Sequence, residues 1–383
     1  MKKTKKDFNK LKKFFPVNQP LLKKSDLDYV YKALKSGWIS SEGPNVIKFE
    51  KSFAKYIGHK YGIAVSSGTA ALDIAVRVLN LKKGDEIIIP NFTIISNIIP
   101  AINLGLKIKL IDCDIKTWNI DVEKIIKAIN KKTKAIIITH IYNYPARIDV
   151  LKKIIKNKKI YLIEDAAESL GQKINNKKCG SFGDLSTFSF YSNKQITTGE
   201  GGMITTNNKI FYNNSKNFRN LCFGKKDRFN HSDIGWNYRM TNIQASLGLS
   251  QLKRINSIIK KRHEVGKIYF DYLKNTKNVY IPEPKKSYSK NIYWVIGVVI
   301  KSKKLGFDAK KIINKLKKFN IGARPFFWPM HKQNVLRKYK FYKSKNFKNS
   351  EYISKYGLYL PSSLNLKKNE IKYICNCLKK IIT

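Results

Sequence analysis

Lysine is so abundant in this chain that only its setting can single one out. Lys and Arg number 76, nine of them Arg, against 26 Asp and Glu, for a formal net charge of +50. Lys194 has a distinctive setting. It follows the apolar run Thr187–Phe190 and precedes Gly199-Glu200-Gly201-Gly202, a tight and conformationally permissive turn. Such a position can desolvate an amine, lower its pKa and suit it to Schiff-base chemistry. A phosphate loop is a poor alternative, because G-x-x-x-x-G-K-[ST] is absent.

Two more segments are candidates for chemistry. Asp165 ends the apolar run Ile160–Asp165 and is followed by Ala-Ala-Glu168-Ser-Leu-Gly171. Open α/β sheets bind ligands beyond the carboxyl ends of their strands. A carboxylate buried there needs a cationic or N–H partner. The same residue also reads as the N-cap of the following turn. Ser66-Ser67-Gly68-Thr69 opens a helix with apolar positions 71, 72, 75, 78 and 79. Its small residues leave backbone N–H groups free for an anion such as phosphate, or simply provide a Ser/Thr cap.

The elements that must position these residues follow from periodicity. Apolar runs at Glu86–Pro90, Lys107–Asp112, Ala135–His140, Ile160–Asp165, Thr187–Phe190 and Gly202–Thr206 suit buried strands. Helical stretches such as Ala70–Leu79 and Val122–Asn130 lie between them. This alternation implies an α/β fold with a mostly parallel sheet between helices. A long helical pattern over Thr241–Leu273, the strand Tyr293–Ile300 and the helix Ala309–Phe319 point to a smaller C-terminal α+β domain. The expected organisation is a basic N-terminal extension (1–19), a large domain (20–255) and a small domain (256–383).

Composition excludes other classes. A length of 383 residues with 43% hydrophobic residues supports sizeable cores rather than disorder. Lysine spread over nearly every segment beside abundant Ile and Asn reads as a compositional coat, though it also attracts polyanions such as phosphorylated substrates. No helix-turn-helix, zinc-finger or RNA-binding signature is present, so no nucleic-acid partner is expected. Five cysteines lack metal spacing, so no metal site is expected and reduced cytoplasmic thiols fit best. The basic N-terminus lacks an apolar core of the secretory type, and the apolar runs are too short to span a bilayer, so no membrane anchor is expected.

Together the segments resemble the sugar-nucleotide aminotransferases of the DegT/DnrJ/EryC1/StrS group. The likeness is carried by SGWISSEG (36–43), SSGTAAL (66–72), GDEIIIPNFT (84–93), TWNID (117–121), IEDAAESLG (163–171), GDLSTFSFYSNKQITTGEGGM (183–203), GWNYRMTNIQASLGLSQL (235–252) and ARPFFWPMH (323–331). It implies the fold-type-I architecture of pyridoxal 5′-phosphate (PLP) enzymes. It makes Lys194 the Schiff-base lysine and Asp165 the partner of the pyridine nitrogen. Ser67, Gly68, Thr69 and Ser189 become phosphate contacts. Asn237 reaches that phosphate from a partner subunit, so the resemblance implies a homodimer with shared active sites. Glu168 matches a position near the ring's 3′ oxygen, or is a first-turn surface acid. Trp38, Arg239 and His331 match positions near substrate, and each also reads as structural.

Two departures stand out. Where the family usually places an aromatic on the ring face, position 94 is Ile, which implies weaker cofactor retention. After His-Ile-Tyr, the residues Asn143-Tyr144 replace the usual Gly with His or Gln. The implied reaction moves an amino group from L-glutamate, through pyridoxamine phosphate, to C4 of a nucleotide-linked 4-keto-6-deoxyhexose. GDP-4-keto-6-deoxymannose giving GDP-perosamine is the first choice. A UDP- or dTDP-linked sugar giving viosamine is the alternative. Lys194 stands against a dehydratase, in which His replaces the lysine, and the missing nucleic-acid motifs stand against a polyanion-binding protein without catalysis.

Overall fold

The structure, a computed structural model, describes residues 13–224, 226–301, 306, 308–339 and 347–382. Residues 1–12 of the expected N-terminal extension lie outside the described residues. Seven strands form the main sheet: β1 (Tyr61–Val65), β2 (Glu86–Pro90), β3 (Lys107–Ile111), β4 (Thr133–Thr139), β5 (Tyr161–Asp165), β6 (Leu185–Ser189) and β7 (Gly202–Thr206). Their spatial order is β1-β7-β6-β5-β4-β2-β3. Neighbours from β6 through β3 run parallel, while β7 is antiparallel to both β1 and β6.

Both faces of this sheet are buried, which is why its strands read as unbroken apolar runs. Ile63, Ile87, Ile137, Ile163, Leu185 and Ile204 share one core with the Gly68–Arg77 helix. Residues on the opposite face fall into two clusters. Ile88, Ile136, Ile138 and Leu162 pack with the Val122–Ala128 and Ile148–Ile155 helices. Phe188 and Met203 pack with Phe49 and Phe53 of the Pro44–Ile57 helix and with Leu249 and Leu252 of the Asn242–Lys253 helix.

The helical pattern Thr241–Leu273 is two helices, not one. Asn242–Lys253 and Ile255–Leu273 are separated at Arg254, whose backbone (φ −109°, ψ 16°) leaves the helical basin. The Arg254 side chain is drawn away to Asp26 and the Leu21 carbonyl. The second helix serves two cores: Ile255 and Ile258 face the main-sheet side, and Val265, Tyr269 and Leu273 face the C-terminal side. The C-terminal side holds a second sheet of β8 (Val279–Tyr280), β9 (Ile296–Ile300), β10 (Arg324–Pro325) and β11 (Gly357–Leu360), ordered β8-β9-β11-β10. Helices Ala309–Lys317 and Lys368–Ile382 pack on it. Phe15, within the N-terminal extension, is buried in the same core and bonds through its backbone to Asn320 and Gly322. All five cysteines are buried and free of disulfides. No helix of the described residues is long and apolar enough to cross a membrane.

Candidate active site

Lys194, Asp165 and Glu168 converge at the carboxyl ends of β5 and β6. Asp165 is the last residue of β5 and is 2% exposed. Its Oδ2 accepts a hydrogen bond from Asn97 Nδ2 at 3.0 Å, and its Oδ1 accepts one from the Ala167 amide at 3.2 Å. Burial holds its carboxyl above the ordinary range, while these donors and the Lys194 charge pull it back. Glu168 is buried and accepts the Tyr142 amide at 2.8 Å. Burial raises its pKa as well, partly offset by Lys194.

The Lys194 residue is half-buried, with its amine at the buried end. Desolvation lowers the amine's pKa, and the Glu168 and Asp165 charges oppose that shift. Its Nζ lies 3.8 Å from the centroid of the Trp294 ring. Two carboxyls and one amine sharing a poorly solvated space are equipped to exchange protons near neutrality.

A second group of residues forms a small cradle. Ser67 caps the Gly68–Arg77 helix, its Oγ accepting the Ala70 amide at 3.1 Å. The amides of Gly68 and Thr69, ahead of the capped Ala70 amide, lie at the helix N-terminus just beyond the end of β1. A Cβ on Gly68 would lie 2.9 Å from Ser189 Cβ and 3.3 Å from its hydroxyl oxygen. The cradle thus admits no side chain at position 68. Thr69 and Ser96 share a hydroxyl hydrogen bond at 2.8 Å. Ile94 is 44% exposed and opens the turn that carries both Ser96 and Asn97. One short turn therefore touches the cradle through Ser96 and the carboxylate through Asn97.

This geometry fits PLP. The cradle offers helix N-terminal amides and hydroxyls to a phosphate, Asp165 offers a buried carboxylate to a protonated ring nitrogen, and Lys194 offers an amine of lowered pKa to an aldehyde. By contrast, His140, Glu164 and Cys179 cluster closely but do not fit a metal. Glu164 already accepts from His140 Nε2 and from the amides of Gly180, Phe182 and Gly183. His140 Nδ1 accepts the Ala146 amide at 3.1 Å.

Among the described residues, Asn237, Arg239, His331 and Trp38 bond to partners other than the Lys194–Asp165–Glu168 group. Asn237 is exposed and its Oδ1 accepts from Arg239 Nε at 2.8 Å. Arg239 bridges to Val65, and Ser66 donates its amide to the Tyr238 carbonyl, so this segment flanks the cradle. His331 places Nδ1 3.0 Å from Asn91 Oδ1 and Nε2 2.9 Å from Glu351 Oε1. Trp38 is 54% exposed, and its carbonyl accepts from Asn242 Nδ2. A cavity of about 960 Å³ lined by Trp118, Tyr280, Asn349 and Tyr352 holds none of the candidates.

Sequence reasoning missed Asn97, Tyr142, Arg262 and Trp294. Arg262 donates to the backbone carbonyls of Trp294 (3.0 Å) and Lys194 (3.3 Å), and Trp294 Nε1 donates to the Asn193 carbonyl at 3.0 Å. Asn97 had a readable signal: a lone amide within Thr93-Ile-Ile-Ser-Asn-Ile-Ile99 needs partners if that run is buried.

A mostly parallel α/β sheet with a lysine, a buried aspartate and a small-residue cradle at its strand ends defines a PLP-dependent enzyme of the aminotransferase class. The sequence profile of the DegT/DnrJ/EryC1/StrS aminotransferase family matches residues 20–379, and the chain belongs to that family of sugar-nucleotide aminotransferases. It is 35% identical over 370 residues to a GDP-perosamine synthase of Escherichia coli O157:H7, covering 96% of this chain and 98% of that one. Among solved structures, it is similar to PseC, a Helicobacter pylori aminotransferase of pseudoaminic acid biosynthesis. That match has a TM-score of 0.90 at 27% identity, covering 97% of this chain and 99% of that one. It is also similar to an E. coli GDP-4-keto-6-deoxy-D-mannose-3-dehydratase with bound hydrated PLP. There the TM-score is 0.88 at 28% identity, covering 95% and 99%.

Proposed function

We propose that this enzyme transfers the amino group of L-glutamate to C4 of GDP-4-keto-6-deoxymannose, forming GDP-perosamine, as a homodimer with shared active sites. The observation that carries the reading is the buried triad of Lys194, Asp165 and Glu168 beside the Ser67–Gly68–Ser189 cradle. Similarity to GDP-perosamine synthases supports the choice of nucleotide and sugar.

PLP supplies an electron sink when bound. The Gly68 and Thr69 amides with the Ser67 and Ser189 hydroxyls would hold its phosphate, and Asn237 of the partner subunit would complete that contact. Asp165, supported by hydrogen bonds from Asn97 and the Ala167 amide, would pair its carboxylate with the ring nitrogen. Ile94 would pack against the bound ring, and Glu168 would lie near its 3′ oxygen. The Lys194 amine, its pKa lowered by burial, takes and returns a proton at the substrate carbon. Lysine at position 194 favours amine transfer over the dehydration named for some relatives. Trp38, Arg239 and His331 would contact the sugar nucleotide.

The test assays the purified enzyme with L-glutamate and 4-keto-6-deoxy sugars on GDP, UDP and dTDP in parallel. Amination of the GDP sugar alone, abolished by Lys194→Ala with cofactor still bound non-covalently, is the expected result. Preference for a UDP or dTDP sugar overturns the nucleotide, and normal turnover by Lys194→Ala overturns the mechanism.

A further inference from the structure

We infer that Trp294 is the docking face for the Lys194 amine whenever that amine is free, and that Arg262 is the strut holding face and amine in register. The inference rests on Lys194 as the reactive lysine.

Three sets of contacts carry it. First, Nζ of Lys194 sits 3.8 Å from the Trp294 ring centroid, within cation–π range. Second, the ring is fixed. Trp294 is 3% exposed, its Nε1 donates to the carbonyl of Asn193 next to the lysine, and it lies parallel to Tyr142 at 11° and 6.0 Å. Tyr142 in turn donates its amide to Glu168. Third, Arg262 is 3% exposed and forms no side-chain ion pair among the described residues; it spends its guanidinium on the carbonyls of Lys194 and Trp294. A fully desolvated guanidinium placed between two backbone carbonyls fixes their separation, because its planar fork has a set geometry.

The chemistry explains why such a face is useful. A transamination cycle frees the lysine midway, and a free amine must stay near its proton-transfer path rather than fold back on a carboxylate. Three charged groups bear on it: Glu168 and Asp165 favour the ammonium and Arg262 disfavours it, while burial disfavours it most. An aromatic face adds attraction for the ammonium without becoming a proton acceptor. Trp294 and Arg262 are thus positioning residues, acting through Lys194.

The test grades the ring's electron density while keeping its shape. Trp294 is replaced by mono-, di- and trifluorotryptophan at that position alone, with Trp294→Leu as the face-deleted variant. In cofactor-free protein, the pH dependence of Lys194 modification by cyanate is read by mass spectrometry of its peptide. The expected result is a stepwise fall in the amine's apparent pKa with fluorine number, reaching roughly half a unit to one unit in Trp294→Leu. In loaded enzyme, kcat should fall with the same order while KM for the sugar nucleotide stays within about twofold. A flat fluorine series with folded protein overturns the inference, as does a series in which only KM moves. The fluorinated variants keep the test open should Trp294→Leu fail to fold. Failure of this series with intact Lys194 dependence would leave the aminotransferase reading standing; activity in Lys194→Ala would remove both.

Discussion

Replacing Asn97 by Ala perturbs the ring end of the site at a residue that sequence motifs did not mark. Asn97 Nδ2 donates to Asp165 Oδ2 at 3.0 Å and to Thr93 Oγ1 at 3.1 Å, and its Oδ1 accepts from Thr139 at 2.9 Å. The variant leaves Asp165 with the Ala167 amide at 3.2 Å. A hydrogen bond to a buried charge is worth about 1.5–3 kcal/mol, and one between neutral groups about 1 kcal/mol. Removing Asn97 should therefore raise the Asp165 pKa by roughly one unit, at about 1.36 kcal/mol per unit. Burial already raises this carboxyl. In cofactor-free protein its contribution to stability is thus full at acid pH and is lost as pH climbs through the folded value. Asn97→Ala deepens that loss. Urea unfolding should show the variant destabilised more at about pH 8 than at about pH 4.5, by roughly 1–2 kcal/mol. PLP affinity, measured by fluorescence titration, should fall about tenfold, near 1.4 kcal/mol. Equal destabilisation at both pH values with unchanged PLP affinity would refute the claim that Asn97 sustains the ionised carboxylate.

Gly68→Ala places a methyl 2.9 Å from Ser189 Cβ, so PLP affinity should drop at least about tenfold with circular dichroism unchanged. Ile94→Tyr supplies a broad ring at a 44% exposed position and should slow PLP loss on dialysis severalfold. Burial raises Glu168 from 4.5 to about 8. The cofactor-free enzyme should lose stability as pH rises through that window, and Glu168→Gln should flatten the loss. Denaturant midpoints measured between those two pH values check it.

Much of the sheet was legible because its strands are buried on both faces. Glu86–Pro90 and Gly202–Thr206 were read to the residue. The candidate site was legible where it is local: a lysine before a glycine turn and an aspartate at a strand end, which the fold brings together with Glu168. What escaped was assembled by tertiary contact. The helix break at Arg254 is set by Asp26 and Leu21, more than two hundred residues away in sequence. Trp294 belongs to the strand region of the C-terminal side, and nothing near it names Lys194. Yet scarcity was a usable signal. In a chain that defaults to Lys, several of the nine Arg mark forks that an ammonium cannot replace: Arg219 bonds Glu50 and the Ala64 carbonyl, Arg254 bonds Asp26, and Arg262 bonds two carbonyls.

The single reversed strand has a consequence for biosynthesis. Tyr61 of β1 pairs with Thr206 of β7, so the sheet edge beside the cradle stays unzipped until residue 206 has left the ribosome. An emerging chain of two hundred residues already carries the lysine and the aspartate, yet lacks the ribbon that seats Ser67 against Gly202. Closure of this sheet edge must therefore wait until just over half of the 383 residues have been made, and long-range zipping of this kind is slow and exposed to aggregation.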